Sequence, residues 1–365
     1  MRMRRLIRTF PLIGAIGLLA ALTGLGLSSP CQSTAADLAE ELKQVPFKIV
    51  FESYQDDNWE LMMVSADGSH PVNLTRTPKV NELYPHVSPD GTKVSFVVDG
   101  EEGGKKVRNV YMMNLDGTGR TLVAGNAREP CWDPAGSGIL YLKGESDKFT
   151  LTDFATRGIC RFDLATRSHK EHPNPEINHL YNICSTPDGK WYVATVHAGM
   201  GYSHAILAIE AEGKKVFNLK IPGCRPDVSP DGKRIAWGAD DFTLCVGELD
   251  FSGAEPKVVR QRDVVKSEKP KEKAVVGEKP AAKAAKSEPH MELYHVDWSP
   301  DGKYLAFSRG PKAKRLGPAP EMIGVVAEGW EICVADASAT NRWVAITTDG
   351  KANKEPDWVP AGKKP

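Results

Sequence analysis

Charged and imidazole side chains recur at two fixed distances before a repeated proline. Five residues before it stand Tyr84, Glu129, Asn182, Arg225, His295 and Glu355, and three residues before it stand His86, Cys131, Cys184, Asp227, Asp297 and Asp357. Residues two apart on a β-strand share one face, so both positions can line a common channel. Carboxylates and imidazoles gathered there can bind a divalent cation or a polar ligand, and a guanidinium can hold a carboxylate or sugar acid. The candidate ligand-binding residues are Glu129, Arg225, His295, Glu355, His86, Asp227, Asp297 and Asp357.

The same aspartates also have a purely structural interpretation. Asp227, Asp297 and Asp357 could accept hydrogen bonds from the backbone of a neighbouring repeat, while the other side chains meet channel water. No catalytic residue is assigned. No cofactor is expected beyond a divalent cation that the channel could hold, so the binding and structural interpretations both stay open.

Two further patterns resemble functional motifs. Residues 201–205, Gly-Tyr-Ser-His-Ala, imitate a nucleophile elbow, but Ala205 replaces its last glycine. An elbow also needs a strand-to-helix turn, and this stretch is β-rich. His169, His172 and His179 lie close to two prolines, and a solvated loop is expected there. The sequence contains no phosphate-binding loop, dinucleotide fingerprint or catalytic-cysteine pattern.

The repeated proline belongs to a turn signature that divides the chain into units. Pro-Asp-Gly is intact at residues 89–91, 187–189, 230–232 and 300–302, and a Pro-Ala-Gly variant stands at 134–136 and 360–362. Proline presets φ, aspartate caps the turn and glycine accepts a positive φ, which gives a tight hairpin between two strands. The first four prolines recur about every 40–50 residues, the length of a propeller blade.

Strand-like segments surround each anchor. Apolar second strands follow it at 93–97, 191–194, 234–237 and 304–307, with a third strand such as 110–115 and a weaker fourth such as 120–123. Four strands in each of six units predict an all-β, six-bladed β-propeller with four-stranded blades.

The two ends of the chain are predicted to share a blade. The chain enters the first blade at a second strand, 47–51, followed by strands at 59–63 and 71–74. The missing first strand is expected at the far end, at 355–359. We therefore predict that the C-terminal strand completes the first blade and closes the ring, which removes exposed sheet edges.

The repeats resemble those of a known propeller family. Residues 58–69, Asn-Trp-Glu-Leu-Met-Met-Val-Ser-Ala-Asp-Gly-Ser, and residues 84–91, Tyr-Pro-His-Val-Ser-Pro-Asp-Gly, are similar to the TolB-like, WD40-like repeat. The resemblance covers nearly all of 46–361 and implies a six-bladed propeller. Aspartate three before the proline is common in such repeats. The oligogalacturonate lyases, which resemble TolB-like propellers, imply a metal held mostly by histidines, whereas this stripe offers only His86 and His295.

The first 35 residues are typical of an export signal. Four arginines precede an apolar run over 10–27 and small residues as far as Ala35, and cleavage is expected after Ala35. The alternatives are an uncleaved anchor, a lipidated Cys31 and twin-arginine export through Arg4-Arg5, of which the first two would attach the protein to a membrane. All of them predict a periplasmic or secreted protein.

The remaining organisation follows from composition. A short linker is expected at 36–45 and the propeller at 46–361. Residues 266–288, rich in Lys, Glu, Ala and Pro, are expected to be disordered. A second insertion at 310–328 carries the apolar run 322–326, which could fold over one channel mouth or extend a surface hairpin.

The seven cysteines are expected to remain mostly as buried free thiols. Cys160, Cys245 and Cys333 occupy one third-strand position, and Cys131 and Cys184 share a first-strand position. Equivalent positions in different blades lie too far apart for a disulfide, which needs Cα atoms within roughly 7 Å.

Charge and composition favour a binding role. The chain has 47 basic and 47 acidic residues, so nothing indicates nucleic acid. The favoured hypothesis is a monomeric, non-catalytic module that binds a protein or a cell-envelope polymer. The alternative is a metal-dependent, polysaccharide-active enzyme, similar to oligogalacturonate lyase, that uses the channel mouth.

Overall fold

The propeller predicted from the repeats is present. The computed structural model describes residues 34–144, 154–269, 290–312 and 322–362, which form six four-stranded antiparallel sheets in a ring. The prediction of a six-bladed, all-β propeller is therefore confirmed. The export signal predicted at 1–35 lies almost wholly outside the described residues.

The strands follow one another blade by blade. The first blade contains β1 (Lys48–Gln55), β2 (Asn58–Ser65) and β3 (Val72–Asn73), and the second contains β4 (Glu82–Val87), β5 (Lys93–Glu102), β6 (Lys105–Asn114) and β7 (Thr121–Ala124). The third contains β8 (Ala127–Trp132), β9 (Gly138–Gly144), β10 (Thr156–Asp163) and β11 (His169–Glu171), and the fourth contains β12 (Leu180–Ser185), β13 (Trp191–Gly199), β14 (Tyr202–Glu210) and β15 (Val216–Asn218). The fifth contains β16 (Cys224–Val228), β17 (Arg234–Asp240), β18 (Thr243–Asp250) and β19 (Lys257–Lys266), and the sixth contains β20 (Met291–Trp298), β21 (Tyr304–Pro311), β22 (Glu331–Asp336) and β23 (Trp343–Ala345).

The last strand, β24 (Ala352–Val359), closes the ring. It pairs antiparallel with β1, with Val359 opposite Lys48 and Trp358 opposite Ile49. The first blade therefore has the order β24-β1-β2-β3, and the predicted closure by the C-terminal strand is confirmed.

The Pro-Asp-Gly anchors form the expected turns between first and second strands. Ser88 donates its hydroxyl to Asp90 over 2.6 Å, and the amide of Thr92 donates to the same carboxylate over 3.0 Å. Gly91 has φ +71°, and a Cβ there would lie 2.8 Å from the carbonyl oxygen of Pro360 in the preceding blade. Glycine is thus needed both for its left-handed backbone and for the close approach of two blades.

A feature that the repeat pattern did not predict is a bulge in every first strand. All six residues five positions before the anchor proline have φ between 46° and 53° although none is glycine: Tyr84, Glu129, Asn182, Arg225, His295 and Glu355. Each lies at or beside a shift in the pairing register with the second strand. A bulge re-aims a side chain, so these six side chains enter the channel centre, and all are buried.

A helix precedes the first strand, in the segment expected to be a linker. Helix α1 (Ala35–Leu42) is capped by Thr34, which exchanges hydrogen bonds with Asp37. Leu38 and Leu42 are buried against the first and sixth blades, and Glu41 pairs with Arg342 over 2.6 Å. No helix in the described ranges is long and apolar enough to cross a membrane.

The two predicted insertions are only partly described. Residues 270–289 and 313–321 lie outside the described ranges, and Lys266 still belongs to β19. In the second insertion, the run 322–326 packs against the propeller: Ile323 is 2% exposed in the cluster that contains Leu83. Lys354 donates to the carbonyl oxygens of Met322 and Val325 over 2.6 and 2.9 Å. Of the two alternatives for this run, packing over a channel mouth is the one observed.

No disulfide joins the six cysteines of the described chain, as predicted, and four of them are buried. Cys160, Cys245 and Cys333 lie on β10, β18 and β22, the third strands of their blades. Cys31 lies outside the described residues.

Candidate functional site

The six bulge residues meet in the middle of the channel, and we call them the channel tier. Glu355 Oε2 lies 3.2 Å from Arg225 Nη1 and 2.7 Å from His295 Nδ1. Asn182 donates its amide nitrogen to the Tyr84 hydroxyl over 3.1 Å and its backbone N–H to Glu129 over 2.9 Å. The tier is therefore an internally bonded layer that fills the channel rather than a set of free side chains.

Burial and charge set the ionisation of the tier. Burial alone would raise the pKa of Glu355, but the charge of Arg225 and then that of His295 hold this pKa at about 2. Burial raises the pKa of Tyr84 well above its ordinary value, and the nearby Glu129 and Glu355 raise it further. Glu355 is thus ionised and Tyr84 neutral across the physiological range.

The channel opens on one side into a cavity of about 390 Å³, which we call the proline mouth. Its rim is made by the six anchor prolines: Pro89, Pro134, Pro187, Pro230, Pro300 and Pro360. Its lining also includes Asp227, Asp297, Asp357 and His86, together with Asn182 and His295 of the channel tier. In the repeat alignment all these polar residues form a single stripe. The bulges divide them instead into the buried tier and this more open ring.

The three aspartates connect neighbouring blades. Asp227 accepts the backbone N–H of Trp298 over 2.9 Å, Asp297 accepts that of Trp358 over 2.9 Å, and Asp357 accepts that of Val87 over 3.2 Å. The indoles of Trp298 and Trp358 return hydrogen bonds to the carbonyl oxygens of Asp227 and Asp297. These contacts are the structural role that sequence allowed for the aspartates, and they leave each carboxylate bordering the cavity.

The carboxyl groups at the proline mouth repel one another. Burial, followed by the charges of Asp357 and Asp227, raises the pKa of Asp297 well above its ordinary value. Burial likewise raises the pKa of Asp227, which shares a side-chain hydrogen bond with Asp297. Burial opposes protonation of His86, but its hydrogen bond and ion pair with Asp357, 2.8 Å away, raise the pKa of this imidazole overall.

We expect Asp297→Asn to melt at or above the wild-type temperature at pH 7. The asparagine oxygen can still accept from Trp358 and its amide can donate to Asp227. A folded-state pKa above the unfolded one makes wild-type stability fall as pH rises between the two values. The variant lacks this loss, so its advantage in thermal melts should widen as pH rises from 3.8, the ordinary aspartate pKa, toward the raised pKa of Asp297 in the folded chain. Asp297→Ala, which leaves the Trp358 N–H unpaired, should instead cost about 1–3 kcal/mol. Equal destabilisation by both variants would contradict the shared-proton interpretation.

The opposite end of the channel opens into a second cavity of about 330 Å³, which we call the hairpin mouth. It is lined by hairpin ends, first-strand starts and the docked run: Phe154, Tyr181, His197, His204, Gly223, Arg225, Asp240, Asp241, Tyr294, His295 and Met322. His295 borders both cavities, so the channel tier lies between them. His197 lies outside the anchor repeat, so no sequence motif marks it as a candidate site residue.

The other sequence motifs have structural roles. Residues 201–205 belong to the β13–β14 hairpin, so they form no nucleophile elbow. His169 bonds the Tyr141 hydroxyl over 2.9 Å, and His172 contacts the carbonyl oxygen of Glu210 over 2.8 Å. Within the described ranges, no group of three or more His, Cys, Asp or Glu side chains could hold a metal ion.

The chain was compared with known proteins and structures. No protein-family model matches the sequence, and no curated protein matches it. The solved structure of TolB from Acinetobacter baumannii is similar, with a TM-score of 0.58 and 16% identity over 86% of this chain and 67% of that one. A nidogen/laminin complex gives a TM-score of 0.55 with 10% identity over 87% and 100% of the two chains.

An oligogalacturonate lyase in complex with manganese is more distant. Its TM-score is 0.44, with 15% identity over 78% of this chain and 73% of that one, which is too low to support an argument about activity. The similarity to TolB, at 16% identity, establishes the fold alone. Together with the six four-stranded blades and the ring closed by β24, it shows that the chain has the fold of a TolB-like six-bladed β-propeller.

Proposed function

We propose that this chain is an exported, non-catalytic binding module that holds a cationic group of a protein partner, or of an envelope polymer, in the proline mouth. The observation that carries the proposal is the combination of an open cavity of about 390 Å³ with three aspartates around it. The leader-like segment at 1–35 supports export.

The charge at the proline mouth selects the kind of group that binds. Three carboxyl groups face one imidazole, so the ring stays negative even when Asp227 and Asp297 share a proton. An ammonium or guanidinium entering the cavity would relieve the repulsion among the carboxylates. The buried Nε2 of His86 has no hydrogen-bond partner in the described structure and could donate to a carbonyl oxygen. A peptide offers a cation and carbonyl oxygens together, which favours a protein partner.

The rim of the proline mouth suits recognition without movement. Its six prolines have fixed φ. At the four intact Pro-Asp-Gly anchors a Ser or Thr hydroxyl also donates to the turn aspartate, as Thr186 does to Asp188 over 2.7 Å. A rigid rim loses little conformational entropy when a ligand binds, so ordering of the site reduces the affinity very little.

The test is capture of partners from an envelope extract on immobilised protein. We expect the Asp227→Asn, Asp297→Asn double variant to retain at least tenfold less of a specific partner than wild type, because two acidic groups are neutralised while their backbone contacts can persist. Glu101→Gln, an exposed change on the hairpin of the second blade, should capture as much as wild type.

The outcomes separate the hypotheses. Protease treatment of the captured material distinguishes a protein from an envelope polymer. Equal capture by the double variant and wild type would overturn binding at the proline mouth. A stoichiometric metal that leaves on neutralising the aspartates would instead support the metal-dependent, polysaccharide-active alternative.

A further inference from the structure

Two histidines face each other at the hairpin mouth, outside the site described above. His197 on β13 and His204 on β14 are directly opposite residues of one antiparallel pair. Their Nδ1 atoms lie 3.2 Å apart, and both side chains line the cavity of about 330 Å³. Neither belongs to the anchor repeat, and the proposed function does not use them.

The hydrogen bond of His204 determines which of its nitrogens is free. Its Nε2 lies 2.9 Å from the carbonyl oxygen of Gly223, so Nε2 carries the proton and the Nδ1 lone pair points toward His197. Gly223 has φ +91°, and a Cβ there would lie 1.8 Å from the carbonyl oxygen of Gly238, so this acceptor is held by close backbone packing. An imidazole that donates its second N–H to a carbonyl oxygen is the usual arrangement of a histidine that binds metal through the other nitrogen.

A ring contact orients the second histidine. Phe154 packs on the His197 ring with centroids 4.4 Å apart, which restricts the second ligand.

The distance between the Nδ1 atoms of His197 and His204 matches the distance between two ligand atoms bound to one metal ion. Two imidazole nitrogens bound at about 2.0–2.1 Å to one tetrahedral ion lie roughly 3.3 Å apart. The observed 3.2 Å agrees with this edge. It also agrees with a weak N–H···N hydrogen bond between the rings, so the experiment has to separate the two.

We propose that His197 and His204 form a binding site for a late first-row divalent ion, Zn²⁺ or Cu²⁺, with the remaining coordination positions open to solvent or to a ligand in the hairpin mouth. Imidazole is a preferred ligand of both ions. No third protein ligand joins the pair in the described part of the chain, which makes the site an open one. It lies at the end of the channel opposite to the proline mouth, so it does not depend on the proposed function.

The experiment titrates the full chain, freed of metal by chelation, with Zn²⁺ and separately with Cu²⁺. We expect one ion per chain, and at least tenfold weaker binding in both His197→Gln and His204→Gln. His70→Gln removes an exposed histidine whose Nδ1 lies beside the hydroxyls of Ser65 and Ser69, and this variant should bind metal as wild type does. The Cu²⁺ complex should show two nitrogen ligands in electron paramagnetic resonance, reduced to one in each Gln variant.

Each outcome decides the proposal. Unchanged affinity in both Gln variants, or a loss of similar size in His70→Gln, would overturn it and leave the pair as a hydrogen bond. Wild type that binds neither ion would do the same. Because the two variants lie on different strands, a folding defect in one leaves the other as the test, and thermal melts without metal identify such a defect.

Discussion

Replacing Glu355 with alanine should destabilise the propeller by about 3–5 kcal/mol, because it leaves the buried Arg225 guanidinium without its counter-charge and His295 without its hydrogen-bond acceptor. Glu355 is 1% exposed and pairs with both Arg225 and His295. Chemical denaturation monitored by tryptophan fluorescence measures the change. Glu331→Ala removes a carboxylate from a partly exposed pair with Arg309 at 3.5 Å, and it should cost less than about 1 kcal/mol.

The pH dependence of this loss has a definite sign. The pKa of Glu355 is about 2 in the folded chain against 4.5 ordinarily, so its contribution is complete above pH 4.5 and disappears as pH falls toward 2. The difference in unfolding free energy between wild type and Glu355→Ala should therefore disappear in acid.

Adding Arg225→Met to Glu355→Leu should restore part of the stability, since a buried pair can be replaced by apolar side chains. If Glu355→Ala were as stable as Glu331→Ala, the pair of Glu355 with Arg225 would not contribute as expected.

The burial of this pair differs from what the repeat pattern indicated. That pattern placed His295 and Glu355 among polar side chains lining a channel, where they could bind a cation or a polar ligand. The structure buries both and joins them at 2.7 Å. The difference comes from the positive φ at each bulge. Positive φ is uncommon for residues other than glycine, so the presence of Tyr84 or Glu129 at these positions does not predict it.

The turn chemistry, by contrast, was readable from sequence. Pro-Asp-Gly defines φ, the cap and the left-handed position within three residues, so each anchor could be located without a structure. Local signals of this kind also predicted closure by β24, because a blade with only three strands at one end of the chain needs a fourth.

Contacts between distant segments could not be predicted in the same way. The run 322–326 docks through Arg108, which donates to the Ile323 carbonyl oxygen over 2.9 Å, and through Lys354. Neither residue belongs to a motif. Helix α1 and the pair of His197 with His204 depend likewise on where non-repeated residues fall on the finished ring, which periodicity does not encode.

Ending the chain after Gly350 should abolish cooperative folding, the largest effect expected here. The deletion removes β24 and with it the first strand of the first blade. It also removes the buried Lys354 and Glu355, and the Asp357 link to Val87 in the second blade. The truncated chain should show no sharp thermal transition and should elute as aggregate in size-exclusion chromatography. A chain ending after Gly362, which keeps β24, is the matched control and should melt as wild type does.

The strand β24 has two structural roles: it pairs with β1 in the first blade, and its Glu355 contacts the fifth and sixth blades across the channel. Without β24, the backbone N–H and C=O groups of β1 that pair with residues 352–359 are left without partners. An unpaired strand edge of this kind can pair with another chain and cause aggregation. The channel tier also loses the acceptor that Arg225 and His295 share, so the fifth and sixth blades are weakened at a distance. Adding a peptide of residues 351–362 should therefore restore a monomer, since it can rebuild the edge and the tier together. A truncated chain that stays monomeric and melts cooperatively without the peptide would show that five complete blades suffice.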